Sequence, residues 1–405
     1  MGMMGGFFLL EKISYLYLLT SVLLIVTIRY GYRYISTYVG MILILLFLIN
    51  LKKNIRIFRK YKSLLISTLL FIVFLIIQFI FVNINEKGYI IHKIIPYGVF
   101  IVFLIQTKVQ KEKLIKLFFY CALCATLLSL ILNILQIDYL ELGHNFRYYT
   151  KQMDVSIYGE ERLSGLFSHK SRFGLILCMA LMVGLNLKIK NLYKILLALF
   201  LFVAMMFANT KTFLLTFIWL IILKLILLMV DKYSIRMNMN FIKKNLMKIL
   251  VAVSSVSVII LFIIYKISLT RNIFTLGSRT EIWSYAIDYI RMVPQGTVRI
   301  PSDLAFNNIL YYNNAHSTFL NEVIESGVVG GIIYLIFIII TLFSIEDKYY
   351  KYAFCTLLIF SQMDSVIYNE IVYIFFPLFS LMVNENSKDN SKLEVELIDE
   401  MEEIS

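Results

Sequence analysis

His316 lies in the run N-N-A-H-S-T-F-L-N-E-V-I-E-S-G, Asn313 to Gly327. Imidazole is the side chain whose charge changes near neutral pH, so it can take a proton from an attacking hydroxyl or hold a phosphate oxygen. Glu322 and Glu325 follow three residues apart, on neighbouring parts of one helical face. Gly327, Gly330 and Gly331 come next, small residues that let helices approach closely. A lone histidine is more often structural, so the weight on His316 comes from this context.

A second group of residues could bind an anion. Ser278-Arg-Thr-Glu281 has the S-x-x-E form of a capping box, which satisfies the first amides of a helix. The pattern predicts a helix from Arg279 to about Val293, ending before Pro294, with Trp283, Ile287 and Ile290 as its apolar stripe. Arg279 then sits in the first turn, near the positive end of the helix dipole, where a guanidinium attracts a phosphate oxygen. An ordinary interfacial arginine reaching for lipid headgroups would look the same. Three further cations belong with it. Arg162 opens R-L-S-G-L-F-S-H-K-S-R, Arg172 ends that run at or just inside an apolar stretch, and Lys211 lies in the turn Asn209-Thr-Lys-Thr212. Charge at membrane depth is costly and usually faces a cavity or a partner.

The elements that must position these groups are membrane helices. Of the chain, 60% is hydrophobic and 16% charged, against about a quarter charged in a soluble globule. Apolar runs near the ~20 residues needed to cross a bilayer recur throughout, and they do not alternate as barrel strands would. Candidate spans are 13–29, 35–51, 63–83, 93–106, 114–135, 171–187, 193–208, 213–230, 249–268, 326–343, 352–364 and 371–383, about twelve. The expected fold is therefore all-α and polytopic: a single helical domain over 1–383, with outer loops at 136–170 and 270–317.

Charge placement sets the sidedness. Short loops rich in Lys and Arg, such as Lys52 to Lys62 and Asp231 to Lys248, mark the cytoplasmic side. Both termini then lie in the cytoplasm, and the 270–317 loop, between spans nine and ten, lies outside with Arg162, Arg172, Lys211, Arg279 and His316. The net charge of +13 is thus read as topological, and no nucleic-acid partner is expected. A cationic outer cavity suits a diphosphate headgroup, and would also stabilise a departing one.

The remaining features are quieter. The four cysteines fall in apolar runs, and Cys121-Ala-Leu-Cys124 lies mid-span with no second pair, so packing is expected rather than a metal or redox site. The first helix reads as retained rather than as a signal peptide. The acidic tail 384–405 reads as disordered. No internal repeat is visible, nor the paired Gly- or Pro-broken helices that mark many secondary transporters.

Three elements in this order resemble the O-antigen ligase and polymerase family of bacterial polysaccharide assembly. They are R-L-S-G-L-F-S-H-K-S (Arg162 to Ser171), G-S-R-T-E-I-W (Gly277 to Trp283) and A-H-S-T-F-L-N-E-V-I-E-S-G (Ala315 to Gly327). The family's last element is His-Asn or His-Ser, a Leu, then Glu-x-Gly before a membrane helix, here His316-Ser317, Leu320 and Glu325-Ser-Gly327. The resemblance implies a GT-C-like architecture and a glycosyltransferase in the bacterial cytoplasmic membrane. The donor would be an undecaprenyl-diphosphate-linked oligosaccharide, with no cofactor and no metal. His316 and Glu325 would be catalytic, while Arg279, Arg162, Lys211 and Arg172 would hold the diphosphate. Partners would include membrane lipid, a flippase and a chain-length regulator. Two departures stand out. Where the family often has Ser-Arg-Gly this chain has Thr210-Lys211-Thr212, which keeps the charge and loses the bidentate fork. The Asn often found after the first element's Gly is also absent.

The expected activity is joining of lipid-linked repeat units into a capsule- or O-antigen-type polymer. Transfer of a finished glycan to another acceptor by a ligase stays open. So do a flippase for the same lipid-linked substrate, which would need ionisable residues deep in several spans, and a non-catalytic scaffold of an assembly complex.

Overall fold

The computed structural model describes residues 2–27, 33–49, 61–82, 84–141, 147–149, 151–153, 161–167, 170–187, 189–208, 279–296, 300–302, 310–312, 315, 317–363 and 372–383. Expected spans 213–230 and 249–268, Lys211, Ser278, His316 and the tail 384–405 lie outside the described residues.

The described chain is mostly helical. Its helices are α1 (Gly2–Thr27), α2 (Arg33–Ile49), α3 (Lys62–Phe81), α4 (Ile84–Leu104), α5 (Lys108–Ile134), α6 (Lys170–Asn186), α7 (Asn191–Ala208), α8 (Arg279–Asp288), α9 (Thr318–Ser344), α10 (Lys348–Met363) and α11 (Val372–Met382). Four stretches are long and apolar enough to cross a membrane: Lys62–Phe81, Lys87–Leu104, Val109–Ile134 and Thr318–Ser344. This is a helical membrane protein.

Short antiparallel ladders interrupt the helical pattern where the sequence has its two long loops. β1 (Tyr139–Glu141) pairs with β2 (Arg147–Tyr149), and β3 (Lys151–Met153) with β4 (Glu161–Leu163). β5 (Ile300–Ser302) pairs with β6 (Leu310–Tyr312). Backbone groups in such loops cannot be left bare beside a membrane, and a hairpin satisfies them locally.

Two helices begin earlier than their apolar runs. α4 starts at Ile84 rather than 93, so the expected outer loop up to His92 is helical and Lys93 lies within the helix. α9 starts at Thr318 rather than 326, because Ser317 caps it by accepting the Leu320 N–H at 3.3 Å. In both cases a polar first half precedes the apolar stretch, so hydropathy alone sees only the second half.

α3, α4, α9 and α11 meet in an aromatic core. α3 packs on α9 and on α4, and α4 packs on α11. Phe71 and Tyr97 meet edge to face with ring centroids 4.8 Å apart. Tyr97 meets Phe337 the same way at 5.4 Å, and Phe337 leans on Phe376 at 5.6 Å. Edge-to-face pairs each add about 0.5–1.5 kcal/mol beyond their buried area. This layer anchors the half of α9 that follows Gly327, called the inner half because the aromatic core lies there, and, through the same helices, the half that precedes it, called the outer half.

Candidate functional site

Directly beyond the aromatic core, α9 changes character at Gly327. Its φ of 72° and ψ of 173° break the helix, a conformation that belongs almost only to glycine. A Cβ there would come within 2.6 Å of the Met292 carbonyl oxygen and 2.8 Å of the Val293 backbone. The segment after α8 is therefore inserted against the break.

The break frees backbone groups, and three of them find partners outside the helix. The Glu325 carbonyl accepts from the Gln295 N–H at 3.0 Å, the Gly296 N–H at 3.2 Å and Gln78 Nε2 at 3.1 Å. Gln295 Nε2 donates to the Ile324 carbonyl at 2.8 Å. The Val328 N–H donates to the Arg291 carbonyl at 2.9 Å. Unsatisfied backbone groups in hydrocarbon cost several kcal/mol each, so this exchange is what permits a broken helix at this depth.

The outer half of α9 then carries a buried ionic cluster. Lys93 of α4 donates to Glu322 Oε1 at 2.6 Å and to Glu325 Oε2 at 2.9 Å. Tyr89 OH, one turn earlier on α4, donates to Glu325 Oε2 at 3.2 Å. Ser326 Oγ lies 3.1 Å from both Glu322 Oε2 and Gln78 Oε1, so its single proton serves one at a time. The two carboxylate side chains are 5% and 4% exposed and that of Lys93 12%. Removing one partner of such a buried pair typically costs about 3–5 kcal/mol, because the other charge is left uncompensated.

α8 packs across the start of α9. Ile282 and Ala286 of α8 form one buried cluster with Ala315 and Ile324. Trp283 Nε1 donates to the Ala315 carbonyl at 2.8 Å. Asn321 Oδ1 accepts the Ala315 N–H at 2.6 Å. Ala315 and Ser317, the residues on either side of His316 in sequence, are both buried. The second and third sequence elements are thus one packed unit.

The helix α8 is shorter than its pattern predicts, ending at Asp288 rather than near Val293. Its last amides tighten to i−3 partners, Tyr289 to Ala286 and Ile290 to Ile287, both at 3.1 Å. Arg291 Nη1 then binds the Asp288 and Ile290 carbonyls, and Gln295 Nε2 also donates to the Tyr289 carbonyl. These side chains replace the helical ladder that Pro294 could not continue. The buried stripe is also offset: Ile282 and Ala286 face α9, whereas Ile287 is exposed.

Of the residues singled out from sequence, Glu325 is buried in the ionic cluster. Arg279 opens α8, and its side chain is not among those described. Arg162 lies in β4, paired with Gln152. Its motif is fixed at another corner, where the Leu166 N–H donates to Ser129 Oγ of α5 at 2.9 Å and Phe167 stacks on Phe173 of α6 at 5.3 Å. Arg172 is partly buried in the first turn of α6. Lys93, Tyr89 and Gln78, which complete the cluster, lie outside the set of residues singled out from sequence. The signal was present: Tyr89, Lys93 and Tyr97 recur every fourth residue on α4, and Gln78 interrupts the apolar face of α3.

No protein-family model matches the chain, and no curated protein matches it.

Proposed function

We propose that the chain is a polysaccharide polymerase that joins undecaprenyl-diphosphate-linked oligosaccharide repeat units on the outer face of the bacterial cytoplasmic membrane. In this proposal about twelve spans place both termini in the cytoplasm and the 270–317 loop outside. The observation that carries it is the packing of two separate motif elements into one unit, Trp283 on Ala315 and Ile282 on Ile324. Arg279 begins the helix on one side of that unit, and His316 falls between the two buried residues on the other. A site that holds a diphosphate beside a proton acceptor needs such a junction.

The reaction is a displacement at the anomeric carbon of the lipid-linked sugar. An acceptor hydroxyl oxygen forms the new bond to that carbon, and its proton passes to His316. The bond from the carbon to the diphosphate oxygen breaks, and the diphosphate leaves with the electron pair. Arg279, with Arg162, Lys211 and Arg172, offsets its charge. Glu325 has its Oε2 already held by Lys93 and Tyr89. Its part in the proposal is to fix the start of α9, with proton transfer left to His316.

The test is a gel of surface polysaccharide from a deletion strain complemented with wild type, His316→Ala or Arg279→Ala. The proposal expects a single-repeat band from His316→Ala, for a loss of about 10²–10⁴-fold typical of a missing general base. Normal chains on the surface would overturn it. Normal-length chains left on the lipid carrier would replace it with the ligase.

A second function has its own support. Lys93 of α4, buried against Glu322 and Glu325 of a helix broken at Gly327, is a feature that also marks ion and substrate paths in transporters. Vesicles holding the purified chain would then move lipid-linked oligosaccharide across the bilayer without lengthening it.

A further inference from the structure

The first turn of α9 holds two polar atoms that have no hydrogen-bond partner among the described residues, the Thr318 hydroxyl and Asn321 Nδ2. Thr318 is 4% exposed and Asn321 3%. Nearby groups are matched: Ser317 caps the helix, and Gln78, Gln295 and Ser326 are bonded as described. A buried donor without a partner loses its water and gains nothing in return, so native interiors rarely keep one. Ser21 and Ser36, unpartnered in the same sense, lie inside α1 and α2, where a hydroxyl can turn to the carbonyl one turn back. Thr318 opens its helix and has no such carbonyl within it.

Direction and charge narrow what these atoms await. The Asn321 carboxamide is tied through Oδ1 to the Ala315 N–H, which holds the amide plane at the helix start and leaves Nδ2 as its free donor there. Thr318 lies three residues earlier on the same face, and helical side chains lean towards the N-terminus. A helix start by itself would favour a phosphate. Here Glu322 and Glu325 sit one turn further in, below Thr318 and Asn321 respectively, and Lys93 is shared between them. Two carboxylates against one ammonium oppose an anion above them. A neutral sugar hydroxyl or acetamido carbonyl accepts both donors without that penalty.

We propose that the first turn of α9 is a glycan subsite in which Asn321 Nδ2 and the Thr318 hydroxyl hydrogen-bond the terminal sugar of the acceptor chain. Its assignment to the acceptor rests on the polymerase proposal, because His316 would take the acceptor proton immediately before this turn. Glycan binding itself requires no turnover.

The chain has two tryptophans, so a Trp219→Phe background leaves Trp283, bonded to Ala315 beside the subsite, as the fluorescent reporter. The full chain in lipid nanodiscs is titrated with methyl glycosides of neutral hexoses and N-acetylhexosamines, and separately with inorganic pyrophosphate. A glycoside is expected to change the emission saturably, and pyrophosphate is not. Thr318→Val and Asn321→Leu should each weaken glycoside binding about tenfold or more, the loss of one well-made hydrogen bond. Asn321→Leu also removes the Ala315 contact and can loosen the fold. Thr318→Val removes only a hydroxyl that has no partner among the described residues, so its melting temperature should hold or rise. Unchanged affinity in Thr318→Val, a saturable response to pyrophosphate alone, or no saturable glycoside response would each overturn the subsite. Saturable glycoside binding by a wild-type chain that cannot lengthen lipid-linked repeats would instead remove the polymerase proposal and leave the subsite standing.

Discussion

The two halves of α9 share one helix axis region and little else. From Thr318 to Ser326 the helix buries Asn321, Glu322, Glu325 and Ser326. Beyond Gly327 it buries Tyr334, Phe337 and Ile338, and turns Ile332, Leu335, Ile336, Ile339 and Phe343 outwards. The inner half is an ordinary membrane segment whose packing is aromatic and whose outward face is apolar. In the outer half Lys93, Tyr89, Gln78 and the Gln295–Gly296 backbone meet Glu322, Glu325 and Ser326, which leaves only the Thr318 hydroxyl and Asn321 Nδ2 without a partner among the described residues. One half depends on apolar burial and the other on completed hydrogen bonds, so they should fail differently.

The sharpest way to break the outer half is Lys93→Met, which keeps length and loses the charge. Glu322 and Glu325 then face each other with their shared cation gone. The expected loss is about 3–5 kcal/mol, read as a large drop in the melting temperature of the purified protein. Adding Glu322→Gln and Glu325→Gln should recover much of it, since the uncompensated charges go with them. If Lys93→Met alone melts with wild type, the outer half is not held by this cluster.

Next in size is the junction. Gly327→Ala should cost about 1–3 kcal/mol for the backbone conformation alone, and more from the contact with the Met292 and Val293 backbone. Gly331→Ala makes the sharper comparison. Its nearest obstacle is a methyl of Val323, a side-chain neighbour rather than inserted backbone, and its φ is not positive. Melting curves should rank Gly327→Ala well below Gly331→Ala; equal curves would mean that the α9 break is not needed.

How far the sequence revealed this contrast follows from the same physics. Apolar runs near the length of a membrane crossing mark the inner half of α9 and most of α3, α4 and α5 directly. The Glu325-x-Gly327 pattern marks where the two halves meet. What stayed hidden was the partner set. Lys93 lies 229 residues from Glu322, and at the edge of an apolar run it resembles any interfacial lysine. A periodic pattern gives the buried face of a helix but not which helix it meets. The early end of α8 was hidden for another reason: Arg291 and Gln295 take over carbonyls that the apolar spacing assigned to a longer helix.

The smallest effect is expected where the molecule is most conventional. Phe337→Leu removes an aromatic ring from the inner half, which contacts Phe71, Tyr97, Phe100 and Phe376. Leucine refills part of the ring's volume among these buried neighbours, so the cost should be about 1–2 kcal/mol, below that of full truncation to Ala. Because the change lies on the far side of Gly327 from Thr318 and Asn321, glycoside binding at the first turn of α9 should keep its affinity while the melting temperature falls. The same variant in a Gly327→Ala background tests the junction itself. Independent halves give additive losses in stability, whereas coupled halves give a loss in the double variant that differs from the sum by more than about 0.5 kcal/mol. Additivity would mean that the break at Gly327 insulates the polar half from its aromatic footing, and coupling would mean that the two are braced as one rod despite it.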